Sequence, residues 1–129
     1  MKAVKHVGPL VAYALYIFVA GSVKGGAPPG DVSDKTAHFI AFGLMVLPSL
    51  LALRHLAPRL HFTSRLALAV VVASGLGALL EVWQLLFPWR SSEFLDWVAD
   101  TTGAVAVGLA VAIVHAAIVH AARPLARRR

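Results

Sequence analysis

Four stretches of apolar residues, at 7–23, 36–53, 66–87 and 97–119, set what this chain can become. Each has the roughly 17–25 residues a helix needs to cross the hydrocarbon of a bilayer. With 59% hydrophobic and only 14% charged residues and a mean hydropathy of +0.77, the chain is too apolar for an ordinary soluble domain. An all-α, polytopic membrane protein is expected: four spans in a single transmembrane domain covering residues 1–129, a bundle of adjacent antiparallel helices joined by short links. Cysteine is absent, which removes disulfides and thiolate metal sites.

The net charge of +6 raises nucleic acid as a partner, but the placement of the charge argues for a bilayer instead. Nine basic residues (Lys2, Lys5, Arg54, Arg59, Arg65, Arg123, Arg127, Arg128 and Arg129) flank one set of alternate span ends. Three, Lys24, Lys35 and Arg90, flank the other. Basic loops stay on the cytoplasmic side, so both termini are expected there, the basic tail resting on anionic lipid. The acids show the opposite bias. Asp31, Asp34, Glu93, Asp96 and Asp100 fall at the exterior end with Glu81 just beneath it, and Trp83, Trp89 and Trp97 gather there as an interfacial belt. The first run has the outline of a signal peptide, yet its length and weak cleavage site favour a retained span.

Glu81 is the most informative single residue. A carboxylate among apolar neighbours costs roughly 2.5–3.5 kcal/mol on insertion scales, so it normally faces protein or water and marks a functional site. With the third helix ending at Phe87, Glu81 would lie six residues inside it, on the order of 9 Å along the axis. Ser74, Gly77, Glu81 and Gln84 recur at three- and four-residue spacing and form one contact face. Asp96, Asp100 and Gly103 continue such a face on the fourth helix. On the second, Ser33 and Asp34 start the helix, His38 follows one turn deeper, and Pro48 removes a backbone hydrogen bond and predicts a kink. A breaker of glycine and proline at 25–30 separates the first two spans. Tyr13 is expected to satisfy its hydroxyl on a neighbouring helix, and His55, His61, His115 and His120 to be solvated, interfacial or packing groups.

The candidate ligand-binding set is therefore Asp34, Lys35, His38, Glu81, Gln84, Arg90, Asp96 and Asp100. Paired carboxylates near a histidine permit acid–base chemistry, with Glu81 or Asp100 as base and His38 as acid or base if the protein is an enzyme. They also permit cation coordination. Neither H-x-x-x-H nor H-E-x-x-H spacing is present, so no metal site is expected from motif, and no cofactor is named.

Asp34-Lys35 with His38, then Glu81-x-x-Gln84 leading to Phe87-Pro88 and Arg90, then Asp96 with Asp100-Thr101-Thr102-Gly103, resemble the pattern of VanZ-like membrane proteins from Asp34 to about Gly108. That family is named for a protein associated with low-level resistance to the glycopeptide teicoplanin. The resemblance implies a bacterial inner-membrane protein linked to the cell envelope, and no established reaction. Asp100 stands where the family commonly has asparagine, and Gly108 replaces a glycine at position 107. The expected function is an outward-facing polar cleft that recognises a lipid-linked envelope precursor or a glycopeptide. The alternatives are an enzyme acting on a lipid-linked head group, and polar residues that only lock the bundle or an oligomer together. Transport is disfavoured because no internal repeat is visible.

Overall fold

The structure is a computed structural model that describes residues 2–24 and 33–126. The breaker at 25–30, Asp31 and the arginines at 127–129 lie outside the described residues. The chain is all-helical in order α1 (Lys2–Ser22), α2 (Asp34–Leu56), α3 (Phe62–Gln84) and α4 (Phe94–Ala126), and all four helices are long and apolar enough to span a membrane.

Each boundary has a local cause. Ser33 caps α2, its hydroxyl accepting from the Thr36 amide at 3.2 Å, and Asp34 places negative charge on the positive end of the helix dipole. The helix runs through Pro48 to Leu56, with Arg54 and His55 against its negative end. The third helix stops at Gln84, short of the expected Phe87. Pro88 cannot donate a backbone hydrogen bond and pushes Phe87 out of the helical region. The chain unwinds ahead of it through Leu86 N to Trp83 O at 3.1 Å and Phe87 N to Gln84 O at 3.0 Å. Glu81 consequently lies three residues from the helix end, about 4.5 Å along the axis, half the depth expected.

The second helix is the hub of the bundle. It packs on all three others, and the part of it that could span a membrane is 44% buried, against 6% for α1. Its core side chains Phe42, Met45 and Val46 cluster with Ala69 and Ala73 of α3 and Ala104 of α4. Apolar association gains little in lipid, so close approach of small residues carries the packing. Gly103 is the tightest such point: a methyl group there would overlap the Phe39 carbonyl of α2. One turn along, a methyl at Gly43 would meet the Gly103 carbonyl oxygen at 3.1 Å. Lys35, His38 and Phe39 of α2 thus pair in order with Asp96, Asp100 and Gly103 of α4, which makes the two helices parallel neighbours.

The first helix is peripheral. It leans on α2, touches α3 lightly, and presents Val11, Leu15, Tyr16 and Val19 outward. Tyr13 does find a partner, donating to the Ala41 carbonyl at 3.1 Å. At its far end Ser22 is held by two indoles. Trp83 Nε1 donates to its hydroxyl at 2.8 Å and Trp89 Nε1 to its carbonyl at 2.9 Å.

Candidate functional site: a buried polar cluster beside a cavity

The end of the bundle where α1 and α3 finish and α2 and α4 begin holds the polar side chains. His38, Glu81, Gln84, Asp96 and Asp100 are each no more than 7% exposed there. Their burial follows from the stripes on α3 and α4: Gly103 admits α2 against α4, and Gly77 admits Asp100 of α4 against α3. A side chain at Gly77 would place its Cβ 2.5 Å from Asp100 Oδ2.

Three layers can be followed inward. At the surface, Lys35 Nζ donates to Glu93 Oε2 at 2.9 Å and to Asp96 Oδ1 at 3.0 Å, clamping α2 to the start of α4. Glu93 is exposed, and the Lys35 ammonium beside it holds its carboxyl below the ordinary value. Below that, His38 Nδ1 lies 2.8 Å from Asp100 Oδ1 and 4.0 Å from Glu81 Oε1. Deeper again, Ser74 and Thr101 join hydroxyls at 2.7 Å, and Trp97 Nε1 donates to the Ser74 carbonyl at 3.1 Å. Trp97 therefore leans on α3 and is half-buried, whereas Trp83 and Trp89 at the same end are more exposed.

Glu81 has two distinct sides. Its Oε2 accepts from the Glu93 amide at 2.9 Å and the Ser92 hydroxyl at 3.1 Å, so an acid from α3 caps the entrance to α4. Ser92 and Glu93 stand immediately before α4, and both deliver donors to Glu81. Its Oε1 faces His38 and has no hydrogen-bond partner among the described residues. The same is true of Asp100 Oδ2, of both amide atoms of Gln84, and of Arg90 Nε. Buried polar atoms are nearly always satisfied, so a group of unsatisfied ones at one end of a bundle needs an explanation.

Part of it is a cavity of about 450 Å³ between α1, α2 and α3. Ile17, Ala20, Ala41, Phe42 and Leu80 form apolar walls, while Asp34, His38, Gln84 and Arg90 supply polar groups. Arg90 Nη2 lies 4.0 Å from Asp34 Oδ2 across it. Gln84 points at Gly21, where an added methyl would come within 3.3 Å of its Nε2.

All eight sequence-derived residues lie at this end, but in two groups. Glu81, Asp96 and Asp100 belong to the cluster between α2, α3 and α4. Asp34, Gln84 and Arg90 line the cavity on the α1 side, His38 is common to both, and Lys35 covers the cluster. Sequence reasoning missed Ser92, whose partner is distant along the chain, and the contribution of Gly21 and Tyr16 from α1. Neither carries a local signal for such a role. At the other end, His115 stacks on Phe62 at 3.6 Å and His55 on His6 at 5.0 Å, packing contacts of the kind expected.

The chain matches the family described as VanZ/LLP1 over residues 6–115. The matched region takes in the cluster, the cavity and most of every helix. No curated protein and no solved structure matches the chain.

Proposed function

The chain belongs to the VanZ/LLP1 family and is a multi-pass membrane protein, and on that premise we propose that its cavity receives the head and first carbons of an anionic, lipid-linked envelope molecule. One observation carries this reading. Within a mostly apolar cavity, the Gln84 amide and Arg90 Nε are buried and without hydrogen-bond partners among the described residues. Small-molecule sites have this character: apolar walls with a few convergent polar groups. A planar guanidinium suits a phosphate or carboxylate head, and apolar walls suit its chain. At about 450 Å³ the cavity is of a size for a drug-sized molecule or a lipid head with part of its tail. A whole glycopeptide is too large for it. Of the two partners expected from sequence, the lipid-linked precursor is therefore preferred.

The basic residues at alternate helix ends support placing the termini in the cytoplasm and the polar end outside, in a bacterial inner membrane as a single transmembrane domain. A role in glycopeptide resistance would follow from altered presentation of the envelope precursor.

The test is binding by purified protein in detergent to a long-chain isoprenyl phosphate and to a neutral isoprenol, read by native mass spectrometry. Preference for the phosphate is expected, weakened by Arg90→Gln and by Ala20→Leu, which fills the cavity. Equal retention of both lipids by all three proteins would defeat the proposal.

The enzyme reading rests on a different observation, the buried pair of His38 and Asp100 at 2.8 Å with Glu81 4.0 Å away. That arrangement can hold and move a proton beside the cavity. Turnover of a lipid phosphate by wild-type protein, lost in His38→Ala, would favour it over recognition alone.

A further inference from the structure

His38, Glu81 and Asp100 come from three different helices, all are buried, and one ligand-type atom from each lies within 4.8 Å of the others. We propose that they bind a divalent transition-metal ion, of the zinc or manganese kind, at the wall of the cavity. The ion-binding proposal stands apart from the lipid reading; only the ion's role depends on it.

The first argument is the unmet acceptors. Glu81 Oε1 and Asp100 Oδ2 have no hydrogen-bond partner among the described residues, in side chains 9% and 0% exposed. A buried carboxylate oxygen left bare is costly, and Glu81 Oε1 faces the His38 imidazole, where a cation would satisfy it; Asp100 would join through Oδ1, its bare Oδ2 lying against Gly77. The second is spacing. Donors at about 2.0–2.1 Å around a tetrahedral ion sit roughly 3.3 Å from one another. The His38 distances of 2.8 Å to Asp100 and 4.0 Å to Glu81 straddle that value, so side-chain adjustment without movement of the helices would seat the ion.

Orientation supplies a third argument. Ser92 and the Glu93 amide fix the far oxygen of Glu81, and the Phe42 ring lies 6.2 Å from the imidazole at 21°. Outer contacts of this kind hold metal ligands in place. Gly77 leaves the room around Asp100 Oδ2 that a side chain would occupy.

One nitrogen and two oxygens suit zinc or manganese, whereas an all-oxygen set is typical of magnesium and calcium. Charge agrees. Asp34, Glu81, Glu93, Asp96 and Asp100 gather at this end against Lys35, Arg90 and a His38 that is cationic only when protonated. Three protein ligands leave a coordination position open, and His38 also lines the cavity. An ion there would turn an acid-rich end into a receptor for a phosphate or carboxylate head. A second grouping, Asp34, His38 and Asp96, is weaker because Asp34 is exposed and Asp96 is already engaged by Lys35.

The experiment uses full-length protein in detergent, stripped with a chelator and dialysed against zinc or manganese. Bound metal is measured by mass spectrometry, and affinity by competition with a fluorescent chelator. About one ion per chain is expected, with Glu81→Gln and Asp100→Asn each weakening binding about ten-fold or more. Both variants keep the side-chain shape, and circular dichroism establishes that the helices remain. His61→Ala and His115→Ala, outside the cluster and the cavity, should bind as wild type does. Wild-type protein of normal helicity that retains no ion would overturn the proposal. So would metal that survives both carboxylate variants but is lost in His55→Ala, which would place it on the His6–His55 pair. Phosphate-lipid preference, measured separately in chelator, reports on the lipid reading and leaves the metal result to stand or fall alone.

Discussion

His38 on α2 and Asp100 on α4 meet at 2.8 Å in an interior where Asp100 is fully buried, and this contact fixes the register of the two most extensively packed helices. Lys35 with Asp96 on one side and Phe39 with Gly103 on the other lie in the same register.

Removing the pair should therefore cost stability in proportion to what is left unsatisfied. Asp100→Ala strips the imidazole of its partner and is expected to destabilise the protein by about 1–3 kcal/mol. Asp100→Asn keeps a hydrogen-bonding group and should cost less than about 1 kcal/mol. Denaturation in detergent, followed by helical circular dichroism, measures both. An Asp100→Ala protein as stable as wild type would show that the contact does not hold the helices.

Glycines in this bundle should divide by what surrounds them. Gly103→Ala collides with the Phe39 backbone, which cannot swing aside, and is expected to cost about 2 kcal/mol or more through separation of α2 from α4. Gly77→Ala presses on Asp100, with a cost of about 1–3 kcal/mol. Gly75 has open space around its Cβ position, so Gly75→Ala should be neutral or stabilising by up to about 1 kcal/mol from backbone entropy. Melting temperatures of the three variants, side by side, decide this; a uniform effect would contradict the packing described.

Acid should loosen the surface clamp. Lys35 lowers the Glu93 carboxyl below its usual 4.5, so the folded state binds a proton there less readily than the unfolded chain. The resulting stabilisation is complete above the ordinary carboxylate value and disappears as pH falls through the lowered one. Wild type should melt above Glu93→Gln at neutral pH and lose that advantage in acid, and added salt should shrink the gap because the pair is exposed. A difference that does not change with pH would remove Glu93 from the clamp.

Ser22 ties the end of α1 to Trp83 and Trp89, beside the contacts of Ile17, Phe18 and Gly21 with α3 and the core. Ser22→Ala deletes the Trp83 bond and leaves the Trp89 bond, which uses the main chain. The change should raise hydrogen exchange at the end of α1, shift tryptophan emission, and reduce global stability by no more than about 1 kcal/mol. Unaltered exchange across 16–22 would mean that the indoles do not restrain the cavity wall.

The sequence by itself determined the number of helices, their approximate length, their apolar character and the end at which the acids collect. These follow from run length, helical period and capping chemistry, which act over a few residues. It also marked Glu81 as exceptional, since a carboxylate in an apolar run needs a partner wherever the helix lies. Depth was misjudged because Pro88 unwinds the chain from Gln84 onward, an effect that spreads back further than the proline itself. What only the tertiary structure decided was pairing. Nothing within ten residues of Glu81 reveals that one oxygen would cap α4 while the other faces His38, or that Gln84 would turn toward α1. Those outcomes depend on how closely helices approach at Gly77 and Gly103, and that distance is set by side chains distant in sequence meeting across the bundle.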